Sequence, residues 1–332
     1  MKRFLPIFLM ALLGLASCEK ALFKSDQAST DPFVNFDYLW QEVDKKYSYF
    51  ELKNLDWQQI RTKYRSRLTS TTTDEELFQV LGGMINELRD DHSNLNAPFN
   101  FSRYNLPLKS KPNFNWRTIE EHYLPNIWYT GAFAHDFLDS GRVGYIRYGS
   151  FLSNFSEAEL NFVMNRYANT KGIILDLRSN GGGSVFNVMP ILGRFVEAPV
   201  TAGYFITRNG PNHSEFGPRE NFQITPTGTA YTKKVMVLMD RGSYSATTLF
   251  AIGTKALPNV VLVGDTTGGG GGLPNGGQLP NGWSYRFSVS QLLDLNGDNY
   301  AEKGVPPDII ASFDWTDLTK DEILERALAE LK

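Results

Sequence analysis

Two serines stand where a strand pattern gives way to a helix pattern. In "VMVLMDRGSYSATTLF" an apolar run ends at Asp240, Gly242 supplies a tight turn, and helical spacing begins near Ser245. A hydroxyl at such a junction lies beside backbone N–H groups of the first helical turn, which have no carbonyl partner inside the helix. Those groups stabilise negative charge, so the stretch suits a serine nucleophile with its own oxyanion donors. The same residues also have an ordinary use, since Ser243 or Ser245 can cap the helix. The local sequence lacks the G-x-S-x-G of a nucleophile elbow, and both readings stay open on this stretch alone.

Two glycine-rich turns follow other apolar runs. "DLRSNGGGS" places Gly181, Gly182 and Gly183 after the run "GIILDLR", and "TTGGGGGLPNGG" follows "NVVLVGD". Glycine lets backbone N–H groups approach a ligand closely. Neither turn carries the G-x-x-x-x-G-K-[ST] of a phosphate loop. The second is read as a flexible, sterically open loop beside the cleft. "DLNGDN" from Asp294 has the look of a calcium loop but lacks the rest of the ligand spacing, and is read as a hairpin turn. With four histidines and one cysteine there are too few ligands for a zinc site of ordinary spacing, and no metal or cofactor is expected.

Several elements must position these residues. Residues 1–18, "MKRFLPIFLMALLGLASC", have a basic start, an apolar stretch and small residues before Cys18, the pattern of an export signal. Leu15-Ala16-Ser17-Cys18 resembles the lipobox of bacterial lipoproteins, which would make Cys18 the lipidated N-terminus. Residues 19–31 read as a tether. Three amphipathic segments then fill residues 32–96. They are marked by Phe36, Trp40 and Val43, by Trp57, Ile60 and Tyr64, and by Leu77, Val80 and Met84, the third behind a Thr73–Glu76 capping box. None buries its apolar face alone, so a small helical bundle is expected, ending at "RDDHS". Residues 97–141 lack periodicity and read as a surface connector. From residue 142 short apolar strands alternate with helices, which predicts an α/β domain over 142–332 with a largely parallel sheet.

"GYIRYGSF", "GIILDLRSNGGGS", "VLMDRGSYSATTLF", "NVVLVGDTTGGGGG" and "EKGVPPDI", in this order, resemble the C-terminal-processing (tail-specific) peptidases and their tricorn-core-like relatives. The resemblance covers roughly residues 142–312, and the N-terminal helices also fit that family. It implies a crotonase-like α/β core and a serine peptidase. Ser245 would be the nucleophile, with an oxyanion hole from the N–H groups of Ala246 and of a glycine among 181–183, with Gly182 the first choice. Processing peptidases read V-G-x-x-T-x-G-K-G where this chain has "VGDTTGGGG", and the lysine that serves as their general base corresponds to Gly270. The tricorn-like branch instead uses a histidine from its N-terminal segment together with a glutamate. "LRDDHS" resembles the family's L-x-D-x-H-[ST] element, which implies His92 as base, with Ser93 able to assist. "YAEKGVPPDI" puts Glu302 at the acidic position, with Asp90 and Asp91 as competitors. Against these roles stand plainer ones: a solvated helix-terminal histidine and a surface glutamate in a turn.

The near-neutral balance, −3 with 21% charged residues, offers no basic stripe for nucleic acid. About 50 residues separate His92 from "RVGYIRY", too few for a complete PDZ unit with linkers, so capture of a substrate C-terminus is not assumed. The expectation is a lipid-tethered cell-envelope serine endopeptidase acting on peptides or proteins, with a Ser-His-Glu site. The alternatives are a peptide-binding lipoprotein that has lost turnover and, more weakly, an acyl-CoA enzyme. The sequence sets no oligomeric state.

Overall fold

The structure, a computed structural model, describes residues 28–104 and 112–332. The signal and lipobox readings, Cys18 included, lie outside the described residues, as does most of the tether. In chain order the first elements are helices α1 (Pro32–Lys46), α2 (Trp57–Arg65) and α3 (Asp74–Asn86), then strands β1 (Asn94–Ala97) and β2 (Asn100–Arg103). Next come α4 (Trp116–His122), β3 (Trp128–Thr130), β4 (Phe133–Leu138), β5 (Val143–Tyr148), α5 (Glu157–Arg166), β6 (Gly172–Asp176) and α6 (Val185–Leu192). The remainder is β7 (Val200–Thr207), β8 (Glu220–Ile224), β9 (Lys234–Met239), α7 (Ala246–Thr254), β10 (Val260–Gly264), β11 (Pro274–Gln278), β12 (Ser284–Ser288), β13 (Ser290–Asp294), β14 (Ile309–Ile310) and α8 (Glu322–Ala329).

A seven-stranded sheet runs in the order β14-β10-β9-β6-β5-β4-β3. Pairings from β14 through β5 are parallel, while β4 and β3 add antiparallel at one edge. Strand alternation splits its side chains between two faces. Ile173, Leu175, Val235, Val237 and Leu262 join a core with α5, α6 and α7; Ile174, Met236, Leu238 and Val263 join another with α4 and α8. This is a mixed α/β fold with both sheet faces covered. At its centre Arg178, fully buried, spans Asp176 at 2.6 Å and Asp321 at 2.8 Å, and so ties the turn after β6 to the start of α8.

The connector reading of residues 97–141 is corrected: β3 and β4 are part of the main sheet. Their polar residues hid the strands, because His135 is buried between Thr130 Oγ1 and Tyr167 OH, and buried Asp136 accepts from the Asn126 N–H.

The faces of α1, α2 and α3 converge on one apolar cluster that also takes Leu95, Tyr285 and Phe287 from a four-stranded sheet, β11-β12-β1-β2. That sheet pairs a strand from just after α3 with a hairpin nearly two hundred residues later, in the register Asn94↔Arg286 and Leu95↔Tyr285. It carries the end of the "RDDHS" segment across to the catalytic-looking half of the chain. A third sheet, β13-β7-β8, adjoins α7. The stretch "WSYRFSVSQLLD" therefore supplies strands to two different sheets. "DLNGDN" is a turn in which Asp294 Oδ1 accepts the N–H groups of Asn296 and Asp298.

Candidate active site

Asp240 builds the turn that presents Ser245. Its Oδ1 accepts the N–H groups of Ser179, Gly242 and Ser243, at 2.7, 3.0 and 3.1 Å, pinning the strand-to-helix turn against the first glycine loop. Ser243 turns inward, its hydroxyl donating to Leu177 O at 2.8 Å. Its role is structural. Ser245 differs: at φ 57° and ψ −114° it is a non-glycine residue at positive φ, and its hydroxyl caps nothing in α7. Backbone strain held in place by surrounding bonds is characteristic of a nucleophile elbow. Here the Tyr244 N–H donates to Asn180 O and the Ser245 N–H to Gly269 O, so both glycine loops clamp the elbow.

The Ser245 hydroxyl meets His92. Nε2 lies 2.9 Å from Oγ, although 153 positions separate the two residues in the chain. His92 sits between the end of α3 and β1, is only 7% exposed, and packs its ring 5.3 Å from that of Tyr244. For Nε2 to accept the serine proton, the ring carries its own proton on Nδ1. Burial lowers the imidazole's pKa below its ordinary 6.5. Asp90 opposes that shift, Arg286 reinforces it, and Asp91 opposes it again. A neutral imidazole at neutral pH is the form a general base requires. Of the other histidines, His135 is locked in the core, and His213 stacks on Phe50 and contacts Asp44.

The glutamate expected to hold His92 does not do so. Glu302 Oε1 pairs with Lys53 Nζ at 2.7 Å, and the same ammonium donates to Leu88 O and Arg89 O. Lys53 follows α1, and nothing in the "YAEKG" stretch announced it. Asp90 stands closest to the imidazole electrostatically. Its Oδ1 accepts the His92 N–H at 3.0 Å, while its Oδ2 and His92 Nδ1 are both buried without a hydrogen-bond partner. The Ser93 hydroxyl is likewise buried and unpartnered, so it gives His92 no direct support.

The two residues expected to form an oxyanion hole lie side by side, and one of them already has a partner. Gly182, at φ 96°, lies so near the elbow that a Cβ there would meet Ser245 Cβ at 2.8 Å and the Ala246 nitrogen at 2.9 Å. Its N–H is already given to Asn180 Oδ1 at 3.0 Å. Asn180 also accepts from Phe151 and donates to Tyr148 O, and so fixes the loop. An acyl oxygen at this point would share the Gly182 donor with Asn180 or draw on a neighbouring glycine. Gly183 lines the cavities on both sides of Ser245.

The run Gly268–Gly272 is corrected from open loop to close contact. A Cβ at Gly269 would meet Ala301 O at 2.4 Å, one at Gly270 would meet Tyr244 Cζ at 2.5 Å, and one at Gly272 would meet the Tyr49 hydroxyl at 2.5 Å. Gly269 and Gly270 also have φ of 90° and 76°. The glycines are there because backbone runs where side chains would stand. The position that carries lysine in the processing peptidases is filled by the Tyr244 ring.

Two spaces flank Ser245. One, of about 60 Å³, has apolar walls from Val185, Ala246, Leu249 and Leu273. The other is an open cleft of about 450 Å³ bounded by His92, Leu152, the 181–183 loop and Tyr244. Arg286 lines both, and sequence reading passed over it. The alternation in "SYRFS" was its signal: a cation between two core-facing aromatics must point the other way.

Known proteins resemble this chain in sequence and in fold. Residues 142–311 match the model of peptidase family S41, and residues 30–86 that of the tricorn protease C1 domain. A putative peptidase from Parabacteroides merdae superposes with a TM-score of 0.83 at 34% identity, over 91% of this chain and 97% of that one. The carboxy-terminal processing proteases CtpA and CtpB of Bacillus subtilis are each 27% identical to this chain, over 42% and 50% of its length. Those matches span 28% and 33% of the two relatives, so the chain aligns with about a third of their length. The first family match takes in the strained serine, both glycine loops and Glu302, while His92 lies just beyond the second. By sequence and by fold the chain belongs to peptidase family S41, a family of serine-type peptidases.

Proposed function

We propose that this chain is a serine endopeptidase of the cell envelope whose working pair is Ser245 and His92. The 2.9 Å contact between His92 Nε2 and Ser245 Oγ carries the reading, because chain proximity cannot account for it. Oγ attacks the peptide carbonyl carbon as its proton passes to Nε2. The carbonyl electrons move to oxygen, facing the Ala246 N–H and the 181–183 loop. When the tetrahedral centre collapses, the C–N bond breaks and the imidazolium gives its proton to the leaving nitrogen. Water, deprotonated by the same imidazole, then attacks the acyl carbon; the C–Oγ bond breaks, the imidazolium returns its proton to Ser245 Oγ, and the acid leaves. Asp90 supplies the negative charge that favours the imidazolium, in the part first expected of Glu302.

In this reading residues 142–332 act as a crotonase-like peptidase domain, and the α1–α3 segment is a small bundle that brings in the base. Cys18 carries a lipid that holds the body at a membrane. No helix among the described residues is long and apolar enough to cross one.

The test is labelling of residues 19–332 with a fluorophosphonate probe, alongside S245A and H92A. The expected outcome is a labelled wild type and loss of labelling by at least about 10³-fold in both variants. A folded wild type that never labels refutes the peptidase reading. Labelling that persists in H92A refutes His92 as base.

A further inference from the structure

Arg286 is brought to the cleft by the same strand pair that delivers His92. Alternation along β12 sends Tyr285 and Phe287 into the helical core and leaves Arg286 exposed on the other face. Its partner in the ladder is Asn94, two residues beyond His92. Arg286 lines both the small apolar space and the large cleft, the two cavities that Ser245 also lines. Among the described residues no carboxylate lies within 4.0 Å of it. Asp91, the acid on the cleft wall, faces Arg103 at 3.7 Å instead.

An uncompensated cation beside a general base has a chemical consequence. It disfavours the imidazolium that forms as Ser245 attacks, and its field already lowers the affinity of His92 for a proton. A substrate anion seated on the guanidinium would cancel that field while gaining charge-assisted hydrogen bonds. Binding and proton transfer would improve together.

We propose that Arg286 reads a carboxylate on the substrate, so that this site prefers peptides with an acidic group close to the scissile bond. The proposal rests on the Ser245–His92 reading above. The carboxylate has two sources, an Asp or Glu side chain within the peptide or the terminal carboxylate of a short one.

Quenched fluorescent peptides distinguish them. One set carries Glu or Gln at each position within three residues of the cleaved bond, and a second carries a free-acid or amidated C-terminus. Rates are taken at pH 8, where His92 is neutral throughout, and divided by active sites counted with the fluorophosphonate. The expected result is a kcat/KM about tenfold higher for the carboxylate member of one set, the gain of one exposed charge-assisted contact. The preference disappears in R286Q, and R286E favours a Lys peptide over its Gln counterpart. A gain in the Glu set assigns the side chain; a gain in the free-acid set assigns the chain terminus. Equal rates in both sets from a fully labelled wild type overturn the proposal and leave the peptidase reading standing. A wild type that neither labels nor cleaves overturns both.

Discussion

Alanine at Gly270 tests whether the glycine run is packed, and its cost divides into two parts. Gly270 has φ 76°, where an L residue with a Cβ loses about 1–2 kcal/mol. The new Cβ would also lie 2.5, 2.8 and 2.9 Å from Cζ, Cε2 and Cε1 of Tyr244, against the roughly 3.5–4.0 Å that carbon atoms prefer. Relief needs a movement of about 1 Å by a ring already packed on His92, an overpacking cost of about 1–3 kcal/mol. G270A should therefore lose about 2–5 kcal/mol in urea unfolding, with an unchanged m-value. Only the second part depends on the tyrosine. In a Y244A background the same substitution should cost about 1–2 kcal/mol, leaving a coupling of about 1–3 kcal/mol in the double-mutant cycle. Additive costs, with a coupling below about 0.5 kcal/mol, would refute the steric account. The same reasoning predicts that G270K cannot rescue H92A, because the lysine would begin inside the tyrosine ring.

Burial holds the His92 pKa below 6.5, so the acid limb of kcat/KM should fall below that pH. D90N removes a charge that favours the imidazolium and should move the limb further towards acid; an unmoved or raised limb in a pH–rate series would exclude Asp90 as its electrostatic partner. The sign for stability follows from the same shift. The unfolded chain binds a proton at this histidine more readily than the native one, so the contribution is absent well above pH 6.5 and turns destabilising as pH falls through it, as urea midpoints at pH 8 and 5 would show. E302Q should leave kcat within about tenfold of wild type, because Glu302 Oε1 pairs with Lys53 Nζ at 2.7 Å and not with His92. A loss of kcat comparable with that of H92A, in a protein of unchanged stability, would restore Glu302 to the catalytic group.

The parts of the fold that were legible in the sequence are those whose burial follows chain periodicity. "GIILDLR" and "KKVMVLMD" put alternate residues on two covered faces, and both strands fall where the apolar runs lie. β4 was missed because "FAHDFL" shows a histidine and an aspartate at its centre, and only their partners Thr130, Tyr167 and Asn126 explain their burial. Ser245 could be singled out from local pattern, since a strand, a glycine turn and a helix start are close together in the chain. Its partner could not. The contact with His92 exists because Asn94 pairs with Arg286, a long-range register that no local spacing encodes. Glu302 failed for the same reason in reverse, since its neighbour Lys53 arrives from a distant turn.

The five glycines show how a loss of side chains can be misread. Glycine permits conformational freedom in an unfolded chain, but in a folded one it equally permits contact that no other residue allows. Here the backbone at Gly269 accepts from the Ser245 N–H and from Thr248 Oγ1, and Gly270 donates to Ala301 O. The run therefore braces the strained serine. Tyr244 occupies the direction a residue-270 side chain would take, and its ring also rests against His92. A lysine from this loop and the tyrosine wall behind the histidine compete for one volume. That competition gives a physical reason why the proton acceptor in this chain would come from the other end of the sequence, carried in on β1.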